Sequence, residues 1–392
     1  MPKQSSAARS SQFSIVHLFR TPVGGLFRHV CDLAQEQGRL GYDVGIICDS
    51  STGGERAAEA LARLTPSCSL GVHRLPIRRL PGLSDLRAAR GIRRILGNLQ
   101  PNVVHGHGAK GAAFGRILAR RIDATAIYTP HGGSLHYSAS SLAGFLYLGL
   151  ERMLRRRTDG AIFESDYSAR IFGEKVGPPD CPVRVIHNGI RDDEFVAAED
   201  AAVEYDFLYV GELREIKGIQ VFMEAISRVA KKASLSVAVV GDGELREAVA
   251  RRIATESLEN TVALLPPVYP AASIIRKARC VVVPSLAESL PYIVLETVAA
   301  GVPILATNVG GIPEIFGSNS GELLPPGDSG ALADAMLRIL REPQARNDLK
   351  VGLQEHARQN FKLTDMVQKT LEFYREVLRA GSKREGVAAS RR

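Results

Sequence analysis

Phe207-Leu208-Tyr209-Val210-Gly211-Glu212-Leu213-Arg214-Glu215-Ile216-Lys217-Gly218 runs from a continuous apolar segment through a glycine turn into helical periodicity. Unbroken rather than alternating apolarity marks a strand buried on both faces, as in a parallel sheet. The same unit recurs on either side. Downstream, apolar β-branched runs lie at residues 235–240, 262–264, 280–283 and 304–307. Upstream they lie at 13–19, 44–48, 103–105, 126–129, 161–163 and 183–186, with helical patterns between. Strand–helix–strand repetition gives the α/β class with doubly wound parallel sheets. The series restarts after the polar, acidic residues 191–204, which read as a linker. Two Rossmann-like domains facing across a cleft are therefore expected, at 13–190 and 205–362, with a further helix over 363–379. The polar ends, 1–12 and 380–392, read as disordered.

Composition supports a folded protein of this size. The chain has 392 residues, 45% hydrophobic and 23% charged, which excludes the low-hydrophobicity, high-charge signature of disorder. No apolar run nears the roughly 20 residues that span a bilayer; the densest is 142–150. The first residues lack an apolar segment, so no secretory signal is read. Five scattered cysteines (Cys31, Cys48, Cys68, Cys181, Cys280) form no CxxC pair. Neither a disulfide framework nor a metal site is indicated, and a cytoplasmic location follows.

The net charge of +8 is unevenly placed. Residues 1–200 hold 26 Lys/Arg and 19 Asp/Glu (+7), leaving 24 and 23 (+1) for the rest. The first half should meet something anionic. Two arginine clusters stand out: Arg74, Arg78, Arg79, Arg87, Arg90, Arg93 and Arg94, and then Arg152 with Arg155, Arg156 and Arg157 after an apolar run. Apolar residues flanked by arginine suit a peripheral membrane contact, although for either cluster alone a solvated helix face is the favoured reading. Nucleic acid is disfavoured, because aromatics are sparse and not interleaved with the basic runs.

Glycines at strand ends let backbone N–H groups approach a phosphate. Gly24 and Gly25 follow the first apolar run. Gly106-His107-Gly108-Ala109-Lys110-Gly111 matches GxGxxG, but follows a late strand and has no acidic residue after the next one, so it reads as an acceptor- or phosphate-binding loop. His131 sits at a strand's carboxyl end, where ligands bind in open α/β sheets. In the second half, Gly211, Arg214, Lys217 and Gly218 suit a diphosphate. Glu288-Ser289-Leu290-Pro291-Tyr292-Ile293-Val294-Leu295-Glu296 staggers two carboxylates about a helix start, with Pro291 in the first turn. Such a pair can accept hydroxyl hydrogen bonds from separate parts of one polyol ligand.

These residues, with Ala299-Ala300-Gly301-Val302-Pro303, Gly310-Gly311-Ile312-Pro313-Glu314, Gly241-Asp242-Gly243 and His187-Asn188-Gly189, resemble the signature of the retaining GT-B glycosyltransferases of family 4 (glycosyltransferases group 1). The resemblance covers about residues 13–378. It implies a nucleotide-diphosphate sugar donor, a hydroxyl acceptor, no cofactor and no metal. With the donor diphosphate assigned to the nearly neutral second half, the +7 of the first half points to an anionic acceptor or to a membrane face carrying a lipid-linked one. The resemblance also implies bacterial surface-polysaccharide or lipid-linked oligosaccharide synthesis at the inner face of the cytoplasmic membrane, with the last helix returning to the first domain. By position, Lys217 and Arg214 would hold the diphosphate. Glu296 would bind the ribose, Glu288 the sugar, Leu290, Pro291 and Tyr292 would complete the sugar site, and Val268 would border the base. Gly24, Gly25 and Gly211 would line the donor and acceptor sites, and His131 would meet the transferred sugar. The family's Arg directly after the strand-ending glycine is here Glu212, and Arg214 stands two residues later. A sugar-nucleotide epimerase and a non-catalytic nucleotide-sugar-binding protein remain alternatives.

Overall fold

The computed structural model describes residues 13–133, 141–195, 202–344 and 346–389. The chain divides into two compact units. One holds the described residues up to Glu164, Ser168–Ile186 and those from Thr364 on; the other holds Ser165–Tyr167 and His187–Leu363.

The first unit is built on seven parallel strands, β1 (Ser14–Leu18), β2 (Asp43–Asp49), β3 (Gly71–Leu75), β4 (Val103–His107), β5 (Thr125–Thr129), β6 (Gly160–Phe163) and β7 (Val183–Val185). Their order is β3-β2-β1-β4-β5-β6-β7. The sequence reading lacks β3. That strand, Gly-Val-His-Arg-Leu, is at the sheet edge and only part-buried, so it carries no apolar run. Val16, Leu18, Val104 and Ala126 pack one core against Ile92 and Leu96.

The second unit has five parallel strands, β8 (Tyr205–Val210), β9 (Val237–Val240), β10 (Val262–Leu265), β11 (Ala278–Val283) and β12 (Ile304–Ala306), ordered β10-β9-β8-β11-β12. Both sheet faces are covered. Leu208, Ala238 and Val281 face one core, Phe207, Val237 and Val282 the other, as period-2 alternation in a doubly covered sheet requires. In each unit the strand order reverses beside the first strand, and the crevice there is where open α/β sheets bind ligands.

Three boundaries differ from the sequence reading. The chain leaves the first unit after Ile186, ahead of the expected linker, and Asp192–Glu194 forms a 3₁₀ turn within the second. Residues 196–201 of that linker lie outside the described residues, as do 1–12 and 390–392. The last helix runs Leu363–Ala389, well past residue 379. Its end is poor in apolar residues but rich in Ala, Lys, Arg and Glu, which favour helix by propensity alone. Pro291 is the N-cap of helix Tyr292–Ala299, one residue outside it, with extended backbone.

Candidate active site

In the second unit, glycines bring the turn after β8 against the loop after β11. Gly218 adopts φ +70°, and a Cβ there would lie 1.8 Å from the Pro284 carbonyl oxygen, so only glycine permits the approach. The Leu286 N–H closes the contact by donating to the Ile216 carbonyl (2.9 Å). Lys217 is thereby set against Glu288, its Nζ donating to both carboxylate oxygens at 2.7 and 2.8 Å. Ser285 Oγ donates to the same carboxylate (2.8 Å). An ammonium has three N–H donors, so one remains for an anionic oxygen.

The second glycine pair secures the other side. A Cβ at Gly310 (φ +61°) would fall 2.0 Å from the Glu288 carbonyl oxygen. The Gly311 N–H donates to the Ser289 carbonyl (2.7 Å). Asn188 Nδ2 donates to the Leu290 carbonyl (2.8 Å). Thus the His-Asn-Gly, Glu-x7-Glu and Gly-Gly-Ile-Pro-Glu segments form one constellation. Glu314 accepts from the Asp166 and Tyr167 N–H groups and from His187 Nε2, all at 2.9 Å. Burial raises its carboxyl pKa, but the His187 and backbone hydrogen bonds outweigh it and hold the group below the usual range.

The remaining residues of this unit stand as follows. Arg214 is part-exposed and pairs with Glu212 (3.4 Å) and Glu244 (3.9 Å) rather than with the Lys217–Glu288 pair. Gly211 directly follows β8 and its N–H donates to the Val240 carbonyl. Its own carbonyl would sit 1.9 Å from a Cβ at Gly241, which makes Gly-Asp-Gly a packing element. Leu290 and Tyr292 are buried, Val268 packs on the core, and Glu296 is half-buried in its helix.

In the first unit, Gly24 opens helix Gly24–Arg39 with φ +69°, and Gly24 and Gly25 are exposed. The Gly106–Gly111 segment is not an open loop. Gly106 lies inside β4, where a Cβ would be 2.4 Å from Ala112 Cα, and one on Gly111 would be 2.5 Å from Phe19 Cα. Both glycines serve the close packing of helix Gly108–Leu118 on the sheet. Lys110 is tied to Asp85 (2.7 Å) and to the Arg78 and Leu80 carbonyls.

His131 follows β5 in the left-handed region, φ +50°, where a non-glycine residue is strained. Its Nε2 lies 3.0 Å from His107 Nδ1. Three more histidines adjoin. His17 Nδ1 is 3.0 Å from His107 Nε2, and the His105 and His29 rings are 3.9 Å from His107 and 4.7 Å from His131 between centroids. Burial lowers the pKa of His17 to about 4 and of His131 to about 3, and pushes His105 and His107 well below the ordinary histidine value. His17, His105, His107 and His131 are neutral at pH 7. From the sequence, His105 and His107 show only as residues crowding a turn, and His17, His29, Gln37 (2.8 Å from His17 Nε2) and Tyr374 (hydroxyl 2.5 Å from His105 Nδ1) are missed. The available signal was a histidine embedded in a continuous apolar strand, as in Ile15-Val16-His17-Leu18.

Two units, each a doubly wound parallel sheet with glycine turns at the strand ends, define a GT-B architecture. Residues 23–194 match the family model Glycosyltransferase Family 4, and residues 204–342 match Glycosyl transferases group 1. The chain belongs to these family-4, group 1 glycosyltransferases. It is similar to the D-inositol 3-phosphate glycosyltransferase of Arthrobacter sp. (strain FB24), 26% identical over 390 residues and 90% of each chain. It is also similar to the glycogen synthase of Mycobacterium tuberculosis (strain ATCC 25618 / H37Rv), 26% identical over 349 residues, covering 82% of this chain and 84% of that one. Among solved structures, Anabaena HepE in complex with UDP and glucose superposes with TM-score 0.78 at 17% identity, covering 92% of this chain and 99% of that one. The sucrose-phosphate synthase of Thermosynechococcus elongatus gives TM-score 0.77 at 20% identity, covering 94% and 100%. At these identities the structures speak for the fold.

Proposed function

We propose that this glycosyltransferase moves a sugar from a nucleoside-diphosphate sugar to a hydroxyl acceptor with retention at the anomeric carbon and without a metal ion. The Lys217–Glu288 pair carries this reading: a cation for the diphosphate stands beside a carboxylate able to accept sugar hydroxyls. The bond from the anomeric carbon to the diphosphate oxygen breaks, and the diphosphate keeps the electron pair. The acceptor oxygen bonds to that carbon on the same face, and its proton passes to a diphosphate oxygen. Lys217 supplies the charge a metal would otherwise bring, and Arg214, which in this structure pairs with Glu212 and Glu244, is assigned to the same diphosphate. The ribose is assigned to Glu296, the base to Val268, and the sugar to Glu288, Leu290, Pro291, Tyr292 and His131. Gly24, Gly25 and Gly211 are assigned to the approach of the diphosphate and acceptor.

The test is nucleoside diphosphate release across a panel of donors and acceptors in EDTA. Acceptor-dependent release with a retained anomeric configuration is expected. Release that needs added metal would overturn the metal-free mechanism. Interconversion of nucleotide sugars without diphosphate loss would point to an epimerase, and binding without turnover to a binding protein.

The acceptor is proposed to be lipid-linked or anionic and met at a membrane face, in surface-polysaccharide or lipid-linked oligosaccharide synthesis on the cytoplasmic side. Among the described residues no helix is long and apolar enough to cross a membrane. Leu80, Leu83 (86% exposed) and Leu86 stand among the exposed Arg78, Arg79, Arg87 and Arg90. On helix Leu142–Arg155, Glu151 faces inward, bonded to Arg116 and Tyr128. The other side exposes Phe145 (70%), Leu146 and Met153 beside Arg152 and Arg156. Burial, then the charge of Arg79, lowers the pKa of the Arg20 guanidinium, against the opposing charge of Asp49. Arg74 is not part of this face, since it binds the Asp49 and Thr52 carbonyls. Sedimentation with anionic vesicles at low salt should capture the protein, and the double variant Leu83→Ser/Phe145→Ser should lose about tenfold in partition. Equal recovery with neutral and anionic vesicles would remove the membrane from this reading.

A further inference from the structure

The histidines of the first unit lie on one sheet face. His17 of β1 is in register with His105 of β4, and His107 of β4 with Thr129 of β5. Side chains two apart on a strand share a face, so His105 and His107 stand together, with His131 just beyond β5. Gln37, from helix Gly24–Arg39, ends the row: its Oε1 lies 2.8 Å from His17 Nε2. The bonds then run Gln37–His17–His107–His131 without a gap.

Each link constrains the next, because a neutral imidazole carries one N–H and one bare nitrogen. The amide oxygen only accepts, so His17 Nε2 bears the hydrogen and Nδ1 is bare. His107 Nε2 must then donate to it, leaving His107 Nδ1 bare. His131 Nε2 donates in turn, and Nδ1 of His131 is left as an acceptor. The opposite amide orientation would reverse every bond and turn Nδ1 of His131 into a donor.

We propose that Gln37, acting through His17 and His107, fixes the polarity of His131 so that its Nδ1 accepts a hydrogen bond from a substrate hydroxyl. Gln37, His17 and His107 are positioning residues. Nothing in the chain of bonds needs a charge, in keeping with the burial that keeps these rings neutral. The assignment to a substrate hydroxyl rests on the proposed glycosyl transfer; the tautomer assignment does not.

The experiment is ¹⁵N NMR of the full chain labelled at histidine. In the wild type, His17, His107 and His131 should each show a proton on Nε2 and none on Nδ1 from pH 5.5 to 8. Gln37→Met, which removes the acceptor, should give His131 a mixed or Nδ1–H tautomer. Gln37→Glu, which keeps an acceptor, should restore Nε2–H. Acceptor-dependent turnover should fall roughly ten- to hundredfold in Gln37→Met and recover in Gln37→Glu. A wild-type His131 protonated on Nδ1 overturns the proposal, and needs no variant to fold. So does a His131 tautomer indifferent to Gln37→Met. Absence of transfer by the wild type would sink the functional reading and leave the NMR result to decide this one.

Discussion

Lys217→Ala should lower acceptor-dependent nucleoside diphosphate release by about 10²–10³-fold while the fold persists. The size of the effect follows from where charge develops. The departing diphosphate gains negative charge as its bond to the sugar breaks, and a preorganised cation there acts mainly in the transition state. Lys217 is held in place by both Glu288 oxygens and retains one donor. Removing it also leaves the Glu288 carboxylate buried, with the Ser285 hydroxyl as its remaining hydrogen-bond donor among the described residues. The stability cost should stay below the roughly 3–5 kcal/mol of breaking a fully buried pair, because Lys217 is part-exposed. Lys217→Arg keeps the charge but not the point geometry, and should recover part of the rate. Arg214→Ala should cost only about tenfold, since its guanidinium is part-exposed and shared with Glu212 and Glu244. Steady-state turnover beside a thermal melt separates chemistry from folding. Near-normal turnover of Lys217→Ala would remove Lys217 from the mechanism.

The strands were legible where burial is complete. Continuous runs such as 280–283 and 304–307 have no face to leave polar, so hydropathy alone finds β11 and β12. The edge strand β3 was not, since its part-buried residues include His73 and Arg74. The Lys217–Glu288 site was legible as motifs, but not as a contact: the pair is 71 residues apart in sequence. What joins them is backbone packing at Gly218, Gly310 and Gly311, whose steric reason appears only in three dimensions. Gly106 and Gly111 illustrate the converse, since a phosphate-loop spacing here serves helix-on-sheet contact. The histidine chain was illegible because its members come from β1, β4, the segment after β5 and a helix, and only strand order β1-β4-β5 aligns them.

The same buried histidines should make the first unit acid-labile, with stability falling steeply below about pH 6.5 as measured by urea unfolding. His17 shows the sign. Its pKa is about 4 in the folded protein against an ordinary value of 6.5. Between those values the unfolded chain holds the proton and the native state does not, so acid favours unfolding. The contribution is fully present above about pH 6.5 and is lost by about 1.4 kcal/mol per pH unit down to about pH 4, roughly 3 kcal/mol in all. His105 and His107, driven down first by burial and then by neighbouring histidines, add in the same direction. The loss on acidification should therefore exceed that from His17 alone. The urea midpoint should therefore drop sharply between pH 7.5 and 5. Amide hydrogen exchange should place the loss in β1, β4 and β5 rather than in β8–β12. His17→Gln, which cannot titrate, should flatten the slope by about 1.4 kcal/mol per pH unit whatever its effect at pH 7.5. Equal midpoints at pH 7.5 and 5 would mean that these imidazoles charge as readily when folded as when unfolded. The neutral hydrogen-bonded chain leading to His131 would then have no basis.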